Sequence, residues 1–161
     1  MTVDSVEVVA ATADDARDIG RRLAGVLRRG DLVILTGELG AGKTTLAQGL
    51  GDGLQVRGSV SSPTFVIARV HPSLVDGPTL VHVDAYRLGG VDELDDLDLD
   101  ASLDDAVTVV EWGEGVAEGL AEDRLEVHLT RSSGAEDEMR RVRVTPVGER
   151  WRAAGLAAVL A

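Results

Sequence analysis

The strongest constraint on this chain is a change of texture between residues 32 and 54. Leu32-Val33-Ile34-Leu35 is an uninterrupted apolar run, followed at once by Gly37, Gly40 and Gly42. A short apolar run bounded by glycines reads as a buried strand feeding a tight turn, because a strand covered on both faces needs no polar alternation. From Lys43 to Leu54 the pattern reads as a helix. Between them, Gly37-Glu38-Leu39-Gly40-Ala41-Gly42-Lys43-Thr44 carries the spacing Gly-x-x-x-x-Gly-Lys-Thr. Glycines there let backbone N–H groups converge on an anion, and the following helix adds its unbonded amides and positive dipole end. The segment predicts a strand, a phosphate-binding loop and a helix in direct succession.

The chemistry of such a loop assigns its residues. Lys43 would reach the β- and γ-phosphates of ATP, Thr44 Oγ would ligate Mg²⁺, and Thr45 would touch the α-phosphate. Lys43 is the one lysine among 16 basic residues. Elsewhere the chain supplies positive charge with arginine, so a compact ammonium stands only where a point charge among phosphates fits better than a planar fork.

The rest of the chain frames this unit. Val6–Ala10 reads as a strand, and Thr12 as a helix N-cap with Asp15 three residues on. Ala16, Ile19, Leu23, Val26 and Leu27 then form a helical stripe that Gly30 stops. Strands are expected at 64–70, 80–83 and 107–110, short helices at 92–105, and a weak helix at 113–121. Leu125–Thr130 and Met139–Thr145 read as a late hairpin pair, and Trp151–Leu160 as a closing helix. Alternating strands and helices predict an α/β fold. The 161 residues fit one P-loop ATPase domain over 1–161. Its sheet is expected to be mixed and mostly parallel, with helices on both faces and an antiparallel C-terminal edge.

Hydrolysis needs acids beside the loop, at strand ends. Asp84 closes Leu80-Val81-His82-Val83, where it would hold Mg²⁺ directly or through water. Glu111 closes Val107-Thr108-Val109-Val110, where it would ligate Mg²⁺, orient the attacking water or deprotonate it. Lys43, Asp84 and Glu111 are the candidate catalytic set. Thr64, in Ser61-Ser62-Pro63-Thr64, is placed either to sense the γ-phosphate or simply in a turn. His71, His82 and His128 have no metal-ligand spacing and read as solvent-facing or locally bonded. The acidic stretch from Asp92 to Asp105 reads as a solvated face.

Composition removes several classes. There is no Asn, so the Asn-Lys-x-Asp element that reads guanine cannot be assembled, nor can a protein-kinase catalytic loop. There is no Cys, so disulfides, thiol nucleophiles and Cys-ligated zinc are absent. A formal net charge of −12 argues against a direct grip on nucleic acid. No apolar run approaches the ~20 residues of a membrane span, and the expected compartment is the cytoplasm.

Four blocks in this order carry a resemblance: the loop through Thr45, Ser62-Pro63-Thr64-Phe65, His82-Val83-Asp84-Ala85-Tyr86-Arg87-Leu88, and Glu111-Trp112. Together they resemble the TsaE (YjeE) family, the ATPase subunits of bacterial tRNA threonylcarbamoyladenosine synthesis. The resemblance implies ATP and Mg²⁺ at the loop, a switch-like loop at Thr64, a Walker B-like acid at Asp84 and a metal-proximal acid at Glu111. It also implies partners: a TsaD-type transferase and its TsaB-type companion, with tRNA met only through them. Asp98 stands where the family usually has Gly, and Leu120-Ala121 where it usually has Leu-Pro; both lie away from the expected site. On the residues alone, a small-metabolite kinase and a nucleotide-dependent binding module remain as alternatives.

Overall fold

The computed structural model describes residues 5–37, 42–56, 68–84, 105–111, 123–131, 139–151 and 155–160, with the backbone alone at 68, 69, 84, 131 and 157. The expected elements at 92–105 and 113–121 lie outside the described residues, apart from Asp105.

Seven strands form one sheet: β1 (Val6–Ala10), β2 (Leu32–Gly37), β3 (Ala68–His71), β4 (Thr79–Asp84), β5 (Ala106–Glu111), β6 (Arg124–Arg131) and β7 (Arg140–Val147). Their order is β1-β7-β6-β2-β5-β4-β3. The central four, β6-β2-β5-β4, run parallel. The late hairpin β6–β7 is antiparallel, as expected, and β1 adds to it, pairing Val8 with Val142. At the opposite edge β3 runs antiparallel to β4, so the parallel centre is flanked by antiparallel strands on both sides.

The centre is buried on both faces, which is why its strands read as apolar runs rather than alternations. Val33 and Leu35 of β2, Val107 and Val109 of β5, and Leu125 and Val127 of β6 face the helices and join one core with them. Leu32, Ile34, Val81, Val83 and Val110 alternate with these and are buried on the other face.

Helix α1 (Ala13–Ala24) starts as its sequence predicts. Thr12 caps it by accepting from the Asp15 amide at 3.2 Å, and the Asp15 carboxylate accepts from the Thr12 amide at 3.2 Å. It ends at Ala24 with Gly25 as C-cap, earlier than the apolar stripe implied. Val26 and Leu27 leave the helix but still meet the core from the turn, so the stripe overran the helix. Helix α2 spans Lys43–Leu54, the predicted bounds.

These two helices pack unusually closely because glycines line the seam. A methyl group added at Gly49 would overlap the Arg17 carbonyl oxygen, and one at Gly20 would overlap that of Leu46. One at Gly53 would stand 2.5 Å from Ala24 Cβ. Backbone thus lies against backbone, as only residues without Cβ permit.

The closing helix is interrupted. A 3₁₀ turn at Glu149–Trp151 and helix α3 (Leu156–Leu160) stand in place of one helix over 151–160. Gly155, immediately before α3, has φ 65, a left-handed conformation that is not helical. Arg150 ties this end down. Its guanidinium donates to both Asp31 oxygens, at 3.2 and 3.0 Å, and to the Val26 carbonyl at 2.6 Å. It also stacks 4.3 Å over the Trp151 ring.

Candidate functional site

Three parallel strands, β2, β5 and β4, end side by side at Gly37, Glu111 and Asp84. Glu111 is opposite Asp84 on one side and Leu35 on the other, so β4 and β5 end level and β2 runs on past them to Gly37. In open α/β sheets this carboxyl-end margin is where ligands bind. Helix α2 starts at the same margin, so strand ends and a helix N-terminus converge.

The start of α2 is built differently from that of α1. Its N-cap is Gly42, at φ 99 and ψ 18, a left-handed conformation that favours glycine. No side chain caps it and no acidic residue sits in its first turn. In α1 both devices are present, a capping box and the acids Asp14 and Asp15. Among the described residues, the amides and positive dipole end of α2 therefore meet no capping side chain.

Lys43 lies in the first turn of α2 with only 5% of its surface exposed. Its ammonium donates to the Gly37 carbonyl at 2.8 Å, folding the side chain back across the loop toward the end of β2.

Thr44 is half-buried, and its hydroxyl donates to Glu111 Oε1 at 3.4 Å. Glu111 is 3% exposed. Its second oxygen, Oε2, is bonded to His82 Nε2 at 2.5 Å. The structure thus brings Gly37, Gly42, Lys43, Thr44 and Glu111 together and sets the backbone of Asp84 beside Glu111. Thr45 follows in the same turn of α2, half-buried. Glu38, Leu39, Gly40, Ala41, Thr64 and Trp112 lie outside the described residues, as does the side chain of Asp84.

His82 is the residue that sequence reasoning missed. Of the three histidines, His128 is exposed, whereas His71 and His82 are buried, at 6% and 0% exposure. A solvent-facing reading therefore fails for those two, and His82 is bonded across the strands to Glu111. His82 and Asp84 share the parity of one strand, hence one face, but which way that face points shows only in the structure, through Leu80, which packs with the helices.

Among the described residues no group of three or more His, Cys, Asp or Glu could hold a metal by itself. Among the described side chains, Thr44 and the carboxylate of Glu111 are oxygen groups a cation could meet at this margin. No described helix is long and apolar enough to cross a membrane.

The family model "Threonylcarbamoyl adenosine biosynthesis protein TsaE" matches residues 10–142. The chain belongs to the TsaE family. The matched span runs from the end of β1 to β7 and so contains every element of the margin just described. A Streptomyces coelicolor relative named tRNA threonylcarbamoyladenosine biosynthesis protein TsaE is 69% identical over 140 residues, which are 86% of this chain and 95% of the relative. The Mycobacterium tuberculosis protein of the same name is 49% identical over 76% of this chain and 77% of its own length. The fold agrees. The crystal structure of Bacillus subtilis YdiB matches 99% of this chain and 95% of its own with a TM-score of 0.74 at 28% identity. The chain is thereby placed among TsaE proteins of threonylcarbamoyladenosine biosynthesis, a tRNA-modification pathway.

Proposed function

We propose that this chain binds Mg-ATP at the β2–α2 loop, hydrolyses it to ADP and phosphate, and thereby resets a TsaB–TsaD complex between rounds of tRNA modification. One observation carries the reading. A buried ammonium, Lys43, is folded over the uncapped start of α2, with a hydroxyl, Thr44, and a carboxylate, Glu111, in contact beside it.

Each residue then has a task. The amides from Gly37 to Thr44 surround the phosphates, and Lys43 turns from the Gly37 carbonyl to the β- and γ-phosphate oxygens. Thr44, donating its proton to Glu111, keeps its lone pairs for Mg²⁺. Asp84 and Glu111 provide the carboxylates of the margin, and Thr64 is the residue proposed to follow the γ-phosphate. Bound Mg²⁺ supplies charge neutralisation at the phosphate oxygens. A site with few protein ligands suits this ion, which keeps waters and phosphate oxygens in its shell and takes one or two carboxylates from the protein. The net charge of −12 favours a role in which the partners hold the tRNA, and the cytoplasm is the compartment where this pathway would run.

The test is a nucleotide titration followed by turnover assays. Lys43→Ala is expected to lose Mg-ATP binding, while Asp84→Ala and Glu111→Ala keep most of the binding and lose hydrolysis. Turnover by the intact chain is expected to be slow alone and to rise on adding TsaB–TsaD. Unchanged affinity in Lys43→Ala, or no stimulation at saturating partner, refutes the proposal. A jump in ATP use on adding a small phosphate acceptor would instead point to a metabolite kinase.

A further inference from the structure

We propose that His82 is a positioning residue that locks the Glu111 carboxylate against Thr44. The inference rests on the Mg-ATP reading above and adds a residue to it. In the β4–β5 register His82 is opposite Val109 and Asp84 is opposite Glu111, so His82 reaches Glu111 along the diagonal of one face. The contact is sealed, with side-chain exposures of 0% for His82 and 4% for Glu111. A strand-end glutamate has three rotatable side-chain bonds, and two anchors on its two oxygens remove that freedom. His82 Nε2 holds Oε2, and the Thr44 hydroxyl holds Oε1.

The two ring nitrogens of His82 have different surroundings. In this assignment Nε2 is the donor and Oε2 the acceptor. The other ring nitrogen, Nδ1, is buried without a hydrogen-bond partner among the described residues. Packing alone would favour an apolar side chain in this slot, beside Leu80 and Val109. An imidazole kept there with one unsatisfied atom is accounted for by what its other nitrogen does. Partners of this kind, which orient a group that meets a metal, typically change affinity or activity roughly 10–100-fold when removed.

The test uses the full chain as wild type, His82→Leu, His82→Gln, Glu111→Gln and the double variant His82→Leu/Glu111→Gln. The amide nitrogen of Gln can stand near the position of Nε2 and donate to Glu111. Three quantities are measured: kcat and KM for ATP, the free Mg²⁺ midpoint for binding a fluorescent ATP analogue, and the ring-nitrogen NMR signals of the three histidines. His82→Leu is expected to lower kcat roughly 10–100-fold, with KM within about threefold, and to raise the Mg²⁺ midpoint about tenfold. His82→Gln is expected to recover both to within about threefold of wild type. In the double variant His82→Leu is expected to add little to Glu111→Gln, because the two act as one unit. In wild type one histidine is expected to show a slowly exchanging Nε2 proton whose signal moves in Glu111→Gln.

Wild-type kcat and Mg²⁺ midpoint in His82→Leu overturn the proposal. So does a His82→Gln variant as impaired as a folded His82→Leu, or a full extra loss in the double variant. Should His82→Leu fail to fold, His82→Gln and the NMR signal decide, and a wild type without that protected Nε2 proton overturns the proposal. Failure of the wild type to bind Mg-ATP would instead refute the underlying reading, and the two failures are read separately.

Discussion

Gly49→Ala tests whether the glycine seam holds the loop-bearing helix in place. In an isolated helix this change should help, since alanine is about 1 kcal/mol better than glycine in a helix interior. In this fold the new methyl would overlap the Arg17 carbonyl oxygen and lie 2.8 and 2.9 Å from the Arg17 carbonyl carbon and Cα. The obstacle is backbone, so no rotamer change relieves it. Ordinary contact requires α1 and α2 to part by roughly 1 Å, a gap that forfeits a quarter to a half of the dispersion attraction of each facing pair. Leu23, Leu46 and Leu50, all fully buried, lie in the core that these helices share. Overpacking typically costs about 1–3 kcal/mol, and an obstacle of main chain places this case at the upper end. Setting the helix gain against it leaves a net loss of about 2 kcal/mol. For a chain of this length that is a fall of about 4–8 °C in Tm. Urea unfolding should show a lower midpoint at unchanged slope. Gly25→Ala is the control, because Gly25 has φ −65 and its added methyl meets only Arg22 O at 3.3 Å; it should be within about 0.5 kcal/mol of wild type. A Gly49→Ala protein as stable as wild type, or more so, would show that the helices are not held at backbone contact and would sink the reasoning.

Two further stability predictions concern the frame around the site. Arg150→Ala leaves Asp31 buried, with the Arg28 amide at 2.7 Å the one remaining donor among the described residues; removing one member of a buried pair costs about 3 kcal/mol or more. Denaturant unfolding should show this loss, and Asp31→Ala/Arg150→Ala should lose much less than the sum of the single changes; a fully additive double mutant would deny the coupling. Thr12→Ala removes the α1 cap, worth about 1 kcal/mol, and thermal unfolding should show a fall of about 2–4 °C. No measurable change there would mean that α1 is held by its packing alone.

The parts of the site that were legible in the sequence are those whose physics is local. Loop and helix belong to one continuous stretch, so the apolar run, the glycine spacing and Lys43–Leu54 could be read together, and α2 has the bounds its pattern implied. The strand ends at Asp84 and Glu111 were readable for the same reason, because each follows its own apolar run. Where local pattern and tertiary packing part company, the sequence misleads. Val26 and Leu27 keep helical periodicity after the helix has ended, since a turn can also deliver apolar side chains to the core. At the C-terminus Gly155 has φ 65, outside helical geometry, so the helix starts only at Leu156 although the pattern around it reads as helical from Trp151.

His82 and the glycine seam fail for a deeper reason: each takes its meaning from a partner distant in sequence. His82 lies in a strand buried on both faces, where Leu80-Val81-His82-Val83 has no alternation to reveal a direction, and its partner Glu111 is 29 residues away. Gly20, Gly49 and Gly53 look like weaknesses in their own helices until the facing backbone is known. The two features serve one end. The seam sets how near α2 comes to α1, and α2 carries Thr44; the sheet register sets how near His82 comes to Glu111. The Thr44–Glu111 contact of 3.4 Å is where the two constraints meet. A shift of about 1 Å in either would open it beyond hydrogen-bond range. A change at Gly49, far along α2 from the loop, should therefore weaken the same contact that His82 holds from the other side.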